Sequence, residues 1–368
     1  MALGIYIHIP FCSKKCPYCD FYSVCFDDSL ADKYTDALIF AIKSYKSQSL
    51  SADTLYFGGG TPNLLGEERI GRIISAVKET FSLCENAEIT MEANPETFCE
   101  QNVSAFSKAG INRLSFGLQS ANKNELVCLG RTHTPEQVFK CIGRAIAHGI
   151  YNYSLDLMLG IEGQTKDSLK KSIDFCKNAG VSHISAYLLK IEPNTPFYKK
   201  QQLLNLPDED ESAALYEFAC EEIEKAGYKQ YEISNFAKNG HISHHNTKYW
   251  LCEEYLGFGA SAHGFFKGER YFYERSIEGF IENPLKTVSD GQGGSLEEAF
   301  MLGMRLSQGI DISEFESRYS AVFSDDFHSQ VDKLRKAGLM KKDKNRISIT
   351  QKGFLVSNSI IAELISLI

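Results

Sequence analysis

Cys12-Ser13-Lys14-Lys15-Cys16-Pro17-Tyr18-Cys19 places three thiols on eight consecutive residues, spaced C-x3-C-x2-C. Closely spaced cysteines on an irregular segment can wrap one face of an iron–sulfur cube. A 4Fe–4S cluster has four irons, so three protein thiolates leave one iron free for substrate or chemistry, the logic by which a metal keeps an open position. The thiols alone leave a second reading open. Tetrahedral zinc wants a fourth ligand, and His8 lies four residues upstream of Cys12.

Outward from this loop the hydrophobic period switches repeatedly between near 2 and near 3.6. Strands are expected at 5–9, 54–57, 88–92, 113–116, 153–158 and 183–188, and helices at 30–45, 67–81, 96–109, 135–148 and 166–179. Strands alternating with helices imply a parallel sheet, because each parallel return needs a crossover. Gly110, Gly149 and Gly180 each follow an expected helix as C-terminal caps. Six βα units are fewer than the eight of a closed barrel, so the fold expected is α/β, an open partial (β/α)6 barrel.

Beyond it, 208–226 reads as a helix and 231–234 as a further strand, and 241–263 is rich in aromatics, histidines and glycines. Ser289-Asp290-Gly291-Gln292-Gly293-Gly294-Ser295 reads as a linker. After it, helices at 297–306, 326–337 and 353–368 and a hairpin at 341–349 form a smaller, mainly helical, winged-helix-like C-terminal domain. The expected division is a barrel at 1–240, a segment packing on it at 241–290, and the C-terminal domain at 291–368. Charges in that domain are mixed and aromatics few, which favours a lid or packing module over nucleic-acid contact.

A net charge of −8 argues against general attraction to nucleic acid or anionic lipid. No apolar run reaches the ~20 residues of a spanning helix, so no integral membrane segment is expected. Eleven cysteines, with no secretory signal before the triad, point to reduced thiols in the cytoplasm, where clustered cysteine means metal or catalysis. Cys25, Cys84, Cys99, Cys128, Cys141, Cys176, Cys220 and Cys252 stand singly and read as packed residues.

Polar residues gather at the carboxyl ends of the expected strands, the face on which parallel α/β sheets bind ligands. Gly58-Gly59-Gly60-Thr61-Pro62 follows the second strand, Glu92 ends the third, Gln119 closes the fourth and Asp156 lies in the fifth. Glycines at a strand end let the backbone approach a ligand. Glu92, Gln119, Arg131 and Asp156 form the mixed set that a zwitterionic, cationic ligand asks for.

These stretches resemble a known family. Gly4-Ile5-Tyr6-Ile7-His8-Ile9-Pro10-Phe11 ahead of the triad, Asp20-Phe21-Tyr22-Ser23 behind it, Gly58–Pro62, Leu129-Gly130-Arg131-Thr132-His133-Thr134, Leu155-Asp156-Leu157-Met158-Leu159-Gly160, Gly163-Gln164-Thr165, Tyr231-Glu232-Ile233-Ser234-Asn235-Phe236-Ala237 and Tyr255-Leu256-Gly257-Phe258-Gly259-Ala260 occur in family order. The chain is similar to the HemN/HemW group of radical S-adenosylmethionine (SAM) proteins. The resemblance implies that Cys12, Cys16 and Cys19 ligate a 4Fe–4S cluster. It implies that Tyr6, Tyr18, Gly59, Gly60, Thr61, Glu92, Gln119, Arg131 and Asp156 contact SAM. In that family one electron from the cluster splits SAM into methionine and a 5′-deoxyadenosyl radical, so an electron donor is implied wherever SAM is cleaved.

Two departures choose the branch. The decarboxylating oxidase of the group carries a fourth cysteine two residues after the third and a long arm before the cluster. Here Phe21 holds that position and eleven residues precede Cys12. Both departures resemble the heme-chaperone branch, as does His245-Asn246-Thr247-Lys248-Tyr249-Trp250, which matches a heme-associated motif. The resemblance therefore implies heme as ligand, His245 as its axial ligand with His244 and His263 as alternatives, and acceptor hemoproteins as partners. Oxidative decarboxylation of coproporphyrinogen III and a zinc-stabilised binding module are the alternative readings.

Overall fold

The computed structural model describes residues 2–98 and 100–368, so Cys99, expected as a packed thiol, lies outside the described residues. Six strands, Leu3–Ile9, Ser51–Gly59, Ser82–Ala93, Arg113–Gln119, Asn152–Leu159 and His183–Leu188, lie side by side in chain order, and each pairs in parallel with the next. Helices Asp28–Lys43, Glu67–Thr80, Glu100–Ala109, Pro135–Ala147 and Lys166–Asn178 make the crossovers. Thr134 and Thr165 start two of them with reciprocal capping boxes, and Gly110, Gly149 and Gly180 end three with positive φ. The third of these helices begins later than expected. Asn94 O accepts the amides of Thr97 and Phe98, which turns the chain before Glu100.

The strand pleat sorts residues by face. In the first strand Leu3, Ile5, Ile7 and Ile9 are buried in the hydrophobic core, while Gly4, Tyr6 and His8 face the concave side. In the fourth, Leu114, Phe116 and Leu118 join that core, and Arg113, Ser115 and Gly117 face inward. Parallel sheets usually bury both faces as apolar runs. Here the curved sheet keeps apolar residues for its helix-covered side and encloses a polar chamber on the other.

The sheet runs well past six strands. Tyr255–Phe258 pairs in parallel with the outer edge of the first strand, and His263–Phe266, Glu269–Phe272 and Val288–Gln292 continue it as an antiparallel meander. At the other edge Asn235–Ala237 runs antiparallel to His183–Leu188 and pairs in turn with Lys229–Gln230. Thus the 241–290 segment supplies sheet strands, beyond the expected packing on the barrel. The linker expected at 289–295 is in part an edge strand. Its small polar residues reflect a strand with one bonded side and an exposed surface. Tyr231 and Glu232, expected in a strand, instead turn between two short strands, and Glu232 bridges to Leu306 of the C-terminal region.

One short helix escaped the periodicity. His244–Trp250 is a helix of seven residues, capped by Ser243, lying across the amino-terminal ends of the strands. The Glu88 carboxylate accepts the amides of His244 and His245 at 3.1 and 3.0 Å, meeting donors that a helix start leaves unpaired. Lys248 Nζ ties the same helix to Ala2 O, Asp53 and Glu253 at 3.1, 3.1 and 2.9 Å.

The C-terminal region has the expected winged-helix order. Helix Leu296–Gly303 leads to a three-stranded sheet, Ile310–Asp311, Arg346–Ile349 and Met340–Asp343, with helices Ile312–Tyr319 and Asp325–Lys336 between its strands. Phe300, Phe323 and Phe327 pack together at its centre.

The join between meander and barrel depends on Gly257. A Cβ there would collide with the carbonyl of His263 on the neighbouring strand. Gly257→Ala is expected to cost about 1–3 kcal/mol of unfolding free energy by overpacking, read as a lower midpoint in chemical denaturation.

Candidate functional site

The cysteine loop sits at the carboxyl ends of the strands and is held from several directions. Phe11 and Cys12 pair with Val24 and Cys25 in a two-rung parallel bridge that closes the loop at its base. Cys19 N donates to Cys16 O at 3.2 Å inside it. Thr61 Oγ1 lies 3.6 Å from Cys12 Sγ, and Phe197 N donates to Pro17 O at 3.0 Å. Arg131 donates to the Tyr18 hydroxyl through Nε and Nη2 at 3.1 and 2.9 Å. Burial raises the pKa of the Cys19 thiol, and the neighbouring Cys16 and Cys12 add to the shift. These are thiols near one another that gain from a cation to neutralise them as thiolates.

The zinc reading finds no free fourth ligand at His8. Among the described residues no three His, Cys, Asp or Glu side chains converge on a single-ion site, the triad included. His8, its proposed fourth ligand, has both ring nitrogens engaged, Nδ1 with Tyr6 Oη at 3.1 Å and Nε2 with Tyr22 O at 3.0 Å. Burial pulls its pKa down to about 4, so it stays neutral and occupied.

The glycine run after the second strand passes beneath the loop. Gly60 N donates to Ile9 O at 2.8 Å and Thr61 N to Phe11 O at 2.7 Å. Gly59 has φ +111, and a Cβ there would lie 2.6 Å from the His8 ring, so both backbone shape and space require glycine. Gly59 N also donates to Glu92 Oε2 at 3.2 Å, while Tyr56 Oη donates to Glu92 Oε1 at 2.8 Å. Across the throat of the chamber, Ser115 Oγ donates to Asp156 Oδ1 at 3.1 Å. Burial raises both carboxyls, Glu92 to about 7. Gln119 takes a left-handed backbone (φ 65) with its amide nitrogen over Gly117, and an Arg131 nitrogen reaches the same glycine.

Expected residues therefore gather at one end. Cys12, Cys16, Cys19, Tyr18, Gly59, Gly60, Thr61, Glu92, Gln119, Arg131 and Asp156 surround the throat. Tyr6 lies deeper, stacked with Tyr56 at 6.2 Å and with His245 at 6.4 Å between ring centroids.

His245 is elsewhere. The expectation of an axial imidazole offered to a porphyrin conflicts with its surroundings. The ring is fully buried, with Nδ1 2.8 Å from Thr54 Oγ1 and Nε2 2.8 Å from Tyr249 Oη. Burial pulls its pKa down to about 3. It props the Tyr6–Tyr56 stack from below. His244, by contrast, is exposed and lines a cavity of about 390 Å3 with Asp53, Asn86, Glu88 and Lys248. His263 is exposed too and stacks on Phe272.

Sequence reading missed the polar ladder inside the chamber. Arg113, Ser115, Ser154 and His183 are all buried on the concave side. Their signal was the two-residue alternation of Arg113 with Ser115 and of Ser154 with Asp156 in strands otherwise apolar.

Residues 6–176 match the radical SAM superfamily, and residues 295–356 match the HemN C-terminal domain. The chain is 34% identical over 362 residues to the heme chaperone HemW of Lactococcus lactis, covering 96% of this chain and 95% of that protein. It is 33% identical to heme chaperone HemW of Escherichia coli, covering 98% and 97%. In fold it is similar to the Escherichia coli coproporphyrinogen III oxidase HemN, with a TM-score of 0.85 at 22% identity over 100% of this chain and 91% of that one.

The buried position of His245 gives a direct test. His245→Ala removes a stacked ring and strands the hydroxyls of Thr54 and Tyr249, at a cost of about 3 kcal/mol or more. Thermal denaturation of the apoprotein should show the loss, whereas an exposed ligand would leave apoprotein stability unchanged.

Proposed function

The chain belongs to the heme chaperone HemW family of radical SAM proteins, and on that footing we propose that it binds heme and passes it to acceptor hemoproteins. Membership brings a 4Fe–4S cluster and SAM, and the throat residues fit both. Cys12, Cys16 and Cys19 are the proposed cluster ligands on a loop pinned at its base, by Thr61 and by Phe197. Glu92 and Asp156 would face the cationic parts of SAM, and Gly59 and Gly60 let the strand end pass against His8 and Phe11 where a side chain would clash, with Thr61 beside Cys12. Gln119 and Arg131 supply donors for a carboxylate, Tyr18 orients Arg131, and Tyr6 closes the floor. When bound, the cluster supplies one-electron reduction of SAM. This chain's part is to hold both ligands with little water between them and to keep negative charge opposite the sulfonium.

The carrier reading over the oxidase reading rests on one observation. The His-Asn-Thr-Lys-Tyr-Trp segment plugs the amino-terminal end of the barrel, whereas the thiols crown the carboxyl end. Along the second strand, Thr54 beside His245 and Gly59 beside Glu92 are separated by about 17 Å at strand rise. Heme held by His244 on the outer side of that segment would lie at the opposite end of the barrel from SAM, as suits transfer rather than decarboxylation. His245 being occupied, the proposed axial ligand is His244, exposed beside its cavity. An electron donor serves the cluster, and a cytoplasmic setting suits ten described cysteines that are all free thiols. Among the described residues no helix is long and apolar enough to cross a membrane.

Anaerobic reconstitution with iron and sulfide should give about four iron per chain, and Cys16→Ala should lose the cluster absorbance while keeping its far-UV spectrum. One zinc per chain would overturn the cluster reading. In heme titrations His244→Ala should bind at least about tenfold more weakly, a loss of about 1.4 kcal/mol. Wild-type affinity in that variant would overturn the ligand assignment, and steady conversion of coproporphyrinogen III to protoporphyrinogen would overturn the carrier reading.

A further inference from the structure

Arg113 opens the fourth barrel strand and is 2% exposed. Its side chain lies in the polar chamber, with Nη2 3.4 Å from Ser154 Oγ and Nε buried without a partner. A guanidinium so weakly bonded and so deeply buried is costly unless opposite charge stands near. Ser154 Oγ lies 2.8 Å from Ser115 Oγ, which donates to Asp156 at 3.1 Å. A chain of two hydroxyls thus runs from the cation to one of the throat carboxylates. The other, Glu92, lies within reach of the same positive field.

We propose that Arg113 is the buried counterion of the throat: it favours the ionised forms of Glu92 and Asp156 ahead of a sulfonium ligand and, through Ser154 and Ser115, aims Asp156. This rests on the reading of the throat as the SAM site and makes Arg113 a positioning residue beneath it. The neighbours leave the task to few groups. Glu92 is faced by the phenols of Tyr6, Tyr56 and Tyr249 and by Asp156 itself. Asp156 is faced also by Tyr187, Cys176 and Arg131. Arg113 is faced by His183, His245, Tyr56 and Tyr231, and burial holds both imidazoles neutral. Arg131 stands at the loop, bonded to Tyr18, so Arg113 is the permanent positive charge on the inner side of the two carboxyls.

The sign follows from the carboxyls. Burial already raises them, Glu92 to about 7, and a cation below opposes that rise. Without it both titrate at higher pH, and a protonated carboxyl attracts a sulfonium or ammonium far less. SAM affinity should therefore be lost at higher pH in Arg113→Gln than in wild type, and should recover as pH rises further.

The test is equilibrium dialysis of radiolabelled SAM against anaerobically reconstituted protein from about pH 6 to about pH 9. Cluster and SAM titrate alike in wild type and variant, so the ratio of their Kd values isolates the protein groups. For Arg113→Gln that ratio should be about tenfold near neutrality, the effect of one pKa unit, and should fall toward one at the alkaline end. Arg113→Lys, which keeps the charge, should follow wild type. A ratio independent of pH, a ratio of one throughout, or a lysine variant behaving like the glutamine variant would each overturn the proposal. If Arg113→Gln does not load a cluster, Ser154→Ala cuts the hydroxyl chain and should move the profile the same way by a smaller amount; a flat ratio there overturns the proposal equally. Failure of the wild-type protein to bind SAM is a separate result, and it would strike the SAM-site reading instead.

Discussion

The structure depends on the two faces of its first strand. Ile5, Ile7 and Ile9 bury one face against helices, and Tyr6 and His8 turn the other into the chamber. A slip of one residue would exchange those sets, burying a tyrosine and a histidine among aliphatics and lining the chamber with isoleucine. Register is therefore specified by burial. The same strand ends at Ile9, one residue before the segment that carries the thiols, so the alternation that makes the core also aims the loop.

Around that strand the site is a convergence of segments distant in sequence. Tyr18 is met by Arg131, Pro17 by Phe197, Glu92 by Tyr56 and Gly59, and Asp20 by Arg275. Each contact alone is worth little, the exposed Asp20–Arg275 pair least of all. Together they over-determine a short irregular loop that would otherwise be mobile. Buried polar groups serve the same end: the Glu92 carboxylate is bonded on both oxygens before any ligand is present.

Much of this was legible in the residues. Strands and crossover helices announced themselves through their periods, and the thiols through their spacing. The gathering of Gly59, Glu92, Gln119 and Asp156 at one end followed from strand polarity alone. What escaped had physical reasons. His244–Trp250 is too short for a helical period to show, and its stability comes from Glu88 and Lys248 contacts that sequence does not display. Val288–Gln292 has the composition of a loop because an edge strand needs few side chains to bury. His245 looked like a ligand because its type is right, yet only tertiary structure shows both ring nitrogens taken. Arg113 drew no reading from the sequence, and its burial depends on the sheet curving around it.

The pairing of Gly4–Ile7 with Tyr255–Phe258 has a consequence for biosynthesis. The thiol-bearing segment leaves the ribosome first, but the strand it hangs from acquires its second neighbour only after most of the chain has been made. Arg131 and Phe197, which seat the loop, emerge in between, and Arg275 emerges later still. Contacts of such long span form late and slowly. The nascent cysteines thus remain unseated through most of translation, and the cradle that holds them is complete only once residues beyond 275 have joined the fold.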